Sequence, residues 1–162
     1  MDLSDFEQKM VGDIAQYGWF GMHVLAAKNA PSFSYTVGLW ETLGSPELMI
    51  LGLPSNLSHS MLKEMFRKIQ SGLVMEDGTR VRGVLEGYDC IARRVHSSRV
   101  PDYLLSALWY RRHKLGESDG LRVMQIFWPG RSQGLFPWEA GCDANVRSDQ
   151  PLLYLPKETG LA

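Results

Sequence analysis

FSYTVGLWETLGSPELMILGLP, residues 33–54, is the stretch on which the fold turns. Its first eight residues alternate, with Phe33, Tyr35, Val37 and Leu39 on one face and Ser34, Thr36 and Gly38 on the other, the period of a half-buried strand. ETLGSP breaks the chain. ELMILGL (47–53) is then a near-continuous apolar run, which suits a central strand covered on both faces. Upstream, WFGMHVLAA (19–27) also reads as a strand, and KNAPS between it and residue 33 is short enough for a hairpin.

Working outward, Ser4 and Glu7 form a capping box ahead of Phe6, Met10 and Ile14 at helical spacing, and Gly18 closes that helix. Pro54-Ser55 opens a second helix, in which Leu57, Met61, Leu62, Met65, Phe66 and Ile69 make a wide apolar stripe before Gly72. TRVRGVLE and YDCIARRV (79–86 and 88–95) are two strands hinged near Gly87. Pro101 at a first helical position starts a third helix, with Leu104, Leu105, Leu108 and Trp109 facing inward and Gly116 ending it. LRVMQIFW (121–128) is the last strand, and residues 129–162 are Gly/Pro-punctuated. Consecutive strands outnumber strand–helix alternations. The expected fold is therefore one α+β domain over residues 1–162, its mixed or mostly antiparallel sheet of five or six strands covered on one face by about three helices, with the irregular C-terminal segment packed on the sheet.

The 162 residues give 44% hydrophobic and 22% charged composition with a formal net charge of -1. That balance offers no general field for nucleic acid or an anionic membrane. An acidic N-terminus and the absence of a long apolar run point to a cytoplasmic protein with no membrane span. Cys90 and Cys142 stand alone, and the four histidines lack paired spacing, so neither a metal site nor a cofactor is expected. The sequence offers no glycine-rich phosphate loop and no GxSxG elbow, and no catalytic residue is assigned. The basic runs at 80–82, 93–94 and 111–114 would make a phosphate-binding face if they converged, but they read as solvated surface. His23 shares a strand face with Trp19, Gly21 and Leu25 and reads first as a core histidine. His59 and His113 project from polar helix faces.

WPGRSQGLFPWEAG (128–141) differs from the rest, because it places Trp128, Phe136 and Trp138 in a segment too broken for helix or strand. Glycines let backbone approach side chain, and prolines stiffen the path, so such a segment can be ordered. It reads first as a lid that buries its rings against the sheet. The second reading is a pocket between residues 33–41 and 125–139, lying beside the strand at 33–40. Its candidate binding residues are His23, Tyr35, Trp40, Glu41, Gln125, Trp128, Arg131, Phe136, Trp138, Glu139 and Gln150.

FSYTVGLW (33–40), PELMILGLP (46–54), MQIFWPGRSQGLFPWEAG (124–141), QPLL (150–153) and Gly18-Trp19 together resemble the bacterial family catalogued as domain of unknown function 4262. The resemblance runs in order over nearly the whole chain. It implies a single cytosolic bacterial domain, and it brings no activity or cofactor. Relatives commonly carry an acidic residue where this chain has Gly130 and a histidine where it has Ser45. The shared positions, among them Tyr35, Trp40, Gln125, Trp128, Trp138 and Gln150, are mostly aromatics, glycines, prolines and amides, a set suited to shaping a surface rather than moving protons. The expected function is a protein-binding module, such as an immunity-type protein that neutralises a toxin or effector. The alternative is a small enzyme or small-molecule sensor using the pocket above. No oligomeric state is assigned.

Overall fold

A computed structural model describes residues 2–158. The chain runs α1 (Asp5–Tyr17), β1 (Phe20–Val24), β2 (Phe33–Val37), α2 (Leu39–Leu43), β3 (Glu47–Leu51), α3 (Ser55–Gln70), β4 (Arg80–Leu85), β5 (Tyr88–Arg94), α4 (Val100–Tyr103), α5 (Leu105–Leu115), β6 (Val123–Phe127) and α6 (Ala144–Asp149), with a 3-10 turn at Ser97–Arg99. The six strands form one open sheet in the order β1-β2-β3-β6-β5-β4. Only the central pair, β3 and β6, is parallel; the other four pairings are antiparallel. This is the expected α+β domain with a mixed sheet.

Helices cover both faces of the sheet, not one. Alternation along β3 explains why: Leu48 and Ile50 pack with Met61, Leu62 and Met65 of α3, whereas Met49 and Leu51 pack with Met10 and Ile14 of α1 and with Leu104 and Ala107 beside and on α5. A strand buried on both faces is apolar along nearly its whole length, which accounts for the near-continuous run at 47–53. The opening of that run is the exception, since Glu47 is a carboxylic acid and only 2% exposed.

Two local readings change. The strand at 33–40 stops at Val37 because Gly38 turns the chain at φ 97°, a left-handed conformation that favours glycine, and Leu39–Leu43 then forms a short helix closed by Gly44. Leu39 consequently joins the α3-side core while Tyr35 and Val37 stay on the other side. The helix after Pro101 is also two pieces. Leu104, at φ -102° and ψ 49°, separates α4 from α5. This break turns Leu105 outward to 67% exposure, and Ala107 and Tyr110 take the buried positions instead.

Candidate functional site

The aromatic segment is ordered and largely spent on the protein's own interior. Trp128 follows β6 at the C-terminal end of the parallel pair, and its indole Nε1 donates to the carbonyl of Leu51 at the same end of β3, 2.8 Å away. Gln150 fixes Trp128 from the other side: its Oε1 accepts from the Trp128 N–H at 2.9 Å and its Nε2 donates to the Trp128 carbonyl at 2.8 Å. Gln125 does the same for the tail, donating to the Pro151 carbonyl and accepting from the Leu153 N–H. Both amides are buried at 1% exposure. Buried amides so placed satisfy backbone groups that no ladder reaches. Phe136 stacks on Trp138, which meets Phe127 and Tyr154 edge-on. Glu139 Oε1 accepts from the Phe136 N–H, 2.9 Å away. Arg131 is exposed, and its carbonyl accepts from the Tyr88 hydroxyl.

The segment does not lie beside Trp40. β2 runs antiparallel to β3, so Trp40, just past β2, sits beyond the N-terminal end of β3, where its ring faces the guanidinium of Arg122 at 4.9 Å. Trp128 lies past the opposite end. A five-residue strand separates the two ends by about 16 Å, and β3 also stands between β2 and β6. None of five surface clefts among the described residues takes residues from both 33–41 and 125–139. His23, Tyr35, Glu41, Arg131 and Glu139 line none of these five. Tyr35 is buried, and its hydroxyl accepts from the Ser106 N–H in the first turn of α5.

Glu41 instead belongs with Glu47. The Glu47 carboxyl accepts from the Thr36 hydroxyl at 2.8 Å and from the Gly38 and Leu39 N–H groups at 3.2 and 3.1 Å, which ties the start of α2 to β3. Burial outweighs these donors, and with the charge of nearby Glu41 it pushes the Glu47 carboxyl up to about 8. Glu41 Oε2 is itself buried with no hydrogen-bond partner.

A cleft lies elsewhere, where α1, β1 and α3 meet. Its volume is about 560 Å³, and its walls include Tyr17, Trp19, Phe20 and Phe66 together with the cationic Lys63 and Arg67. Asp13 is the acid on its rim. Gly21 makes the arrangement possible, because a Cβ there would fall 2.9 Å from His59 Nδ1. His59 therefore lies over the β1 backbone, stacked on Trp19 with ring centroids 5.1 Å apart. His23, two residues on and on the same strand face, is 5.4 Å from the His59 ring and within 2.7 Å of Ser34 Oγ at Nδ1. Burial, and then the charge of His59, hold His23 below its ordinary value, so it is a neutral imidazole near neutral pH. Ser34 is 2% exposed. The contact between the two side chains joins β1 to β2 beside the His59 ring.

The family model of a domain of unknown function, DUF4262, matches residues 13–143, a span that begins in α1 and ends beyond the aromatic segment. The chain belongs to the DUF4262 family. No curated protein and no solved structure matches it. In this DUF4262 domain no group of three or more His, Cys, Asp or Glu side chains among the described residues is placed to hold a metal ion. No helix among them is long and apolar enough to cross a membrane. The cleft residues Tyr17, Lys63 and Arg67 escaped sequence reasoning because they carry no motif; the available signal was a glycine at 21 between Trp19 and His23 on one strand face.

Proposed function

We propose that this domain is a protein-binding module that docks an acidic stretch of a partner chain on the face where α1, β1 and α3 meet. The observation that carries the reading is the pairing, on one face, of a cationic, aromatic-lined cleft with an unpaired sheet edge. β1 is the first strand of the sheet and, among the described residues, pairs only with β2, which leaves its outer backbone groups for an added strand. Lys63 lines the cleft with its positive charge, Arg67 lines it while sharing its charge with Glu64 in an exposed ion pair at 3.6 Å, and Tyr17, 60% exposed at the rim, supplies an aromatic anchor. A toxin-neutralising immunity-type protein is the form of this reading that suits a small domain whose sequence offers no catalytic motif. The same reading places it in a bacterial cytosol, in keeping with two cysteines that are buried and unpaired. The other reading is an enzyme or sensor, whose pocket between residues 33–41 and 125–139 would have to bridge opposite ends of β3.

The test is affinity capture from source lysate with the wild type, the charge-reversed Lys63→Glu/Arg67→Glu variant, and Arg82→Glu on β4 at the opposite sheet edge. A stoichiometric partner should be retained by the wild type and by Arg82→Glu, and weakened by roughly tenfold or more in the double variant. Absence of any stoichiometric partner, or full retention by the double variant, contradicts the reading.

A further inference from the structure

Away from the α1–β1–α3 face, three guanidinium groups converge at the N-terminal end of the parallel strand pair. Arg122 directly precedes β6, and Arg94 ends β5 opposite Met124 in the antiparallel register. Two clefts, of about 480 and 380 Å³, meet there and share Asp77, Arg94 and Arg122. Their chemistry differs. The smaller, on the α5 side of the sheet, adds Arg93, His96 and Ser97. The larger, on the α3 side, is walled by Leu43, Ile69, Leu73, Val74, Met75 and Met124, with Glu76 at its margin.

Aromatic rings hold two of the three guanidiniums in place. Arg122 lies 4.9 Å from the centre of Trp40, and Arg93 lies 3.9 Å from that of Tyr154 and 5.5 Å from that of Trp138. A guanidinium held against a ring keeps its planar fork oriented at a reduced entropy cost. Asp77 is already engaged: its Oδ1 accepts from Arg93 Nε at 3.0 Å and from the Arg94 backbone N–H at 2.9 Å. That leaves the guanidiniums of Arg94 and Arg122 with no ion-pair partner among the described residues, both exposed and both lining the two clefts. Like-charged groups gathered beside an apolar trough fit a ligand with an anionic head and an apolar body.

We propose that the paired clefts over Asp77 bind a small organic oxyanion, its carboxylate or phosphate head at Arg94 and Arg122 and its apolar body along Ile69, Met75 and Met124. The assignment is independent of the protein-docking face and uses none of its residues. Trp40 contributes indirectly, as the seat of Arg122.

Calorimetric titration with octyl phosphate, octanoate, inorganic phosphate and octanol tests it. One of the two amphiphilic anions should bind saturably, at least tenfold more tightly than either inorganic phosphate or octanol, and which of the two is the tighter identifies the head group. Arg94→Gln/Arg122→Gln should lose that affinity by tenfold or more while still unfolding in one cooperative urea transition, its midpoint lowered only slightly by loss of the Arg122–Trp40 contact and of the attraction between Arg94 and Asp77. Trp40→Leu, which removes only the seat of Arg122, should weaken binding by a smaller factor. Octanol binding as tightly as the anions, unchanged affinity in the arginine variant, or no saturable binding by either anion overturns the proposal.

Discussion

Replacing Glu47 with glutamine should remove a pH dependence that the fold builds into its own centre. The carboxyl lies between β2, α2 and β3, and burial raises it from 4.5 to about 8. In an unfolded chain the same group ionises at the lower value, so between the two the folded protein holds one more proton than the unfolded one. Stability from this group is therefore fully present below 4.5, falls as pH rises at about 1.4 kcal/mol per unit, and is gone above the folded value. Glutamine keeps an oxygen for Thr36 and Leu39 but sets an NH₂ against the Gly38 N–H, which Glu47 Oε2 accepts at 3.2 Å. Leaving that N–H unpartnered costs about 1–3 kcal/mol. Urea unfolding of both proteins at unit steps from about pH 5 to about pH 8 measures the difference directly. Glu47→Gln should be the less stable protein at the acid end, and the gap should close by about 1.4 kcal/mol per pH unit and then invert. His23, whose lowered value favours the fold only as pH rises, is present in both chains and cancels in the difference. A difference that stays flat across this range would mean that the three donors keep Glu47 ionised inside the fold, and the reasoning fails.

Three further outcomes follow from the packing. Gln150→Ala strands the buried N–H and carbonyl of Trp128 at about 1–3 kcal/mol each, so the urea midpoint should fall and limited proteolysis within residues 129–142 should quicken. Gly52→Ala should be as damaging at a position far from any proposed ligand, because Gly52 has φ 83° and a Cβ there would meet the Asp149 carbonyl oxygen at 2.7 Å; the strain alone is worth about 1–3 kcal/mol, read as a lowered melting temperature. Cys90, buried and with its thiol pushed up to about 12, should resist Ellman's reagent at about pH 8 in the folded protein and react once urea unfolds it.

What the sequence revealed divides along the range of the interactions involved. α3 and β3 were legible because their patterns are local: six apolar residues at helical spacing in one, a near-continuous apolar run in the other. α2 was not, because Gly38 prolongs the alternation of β2 on paper while turning the chain in space, and Leu39 crosses to the opposite core. The break at Leu104 has no residue-type signal, since leucine is a good helix former. The ordered aromatic segment was legible from its glycines and prolines, but what secures it was not: Gln150 and Gln125 act across 22 to 28 residues. The separation of Trp40 from Trp128 is a consequence of strand order, which alternation along a strand does not encode. The α1–β1–α3 cleft likewise draws on residues 13–21 and 59–70, each ordinary in its own segment.

Site-specific photo-crosslinking in source cells tests the central claim most directly, with a crosslinking phenylalanine analogue placed at Tyr17 on the rim of that cleft or at Arg131 on the outer surface of the aromatic segment. The account predicts a single protein adduct from position 17 and none from position 131. An adduct from position 131 with none from position 17 would contradict it and place the docking face on the C-terminal segment.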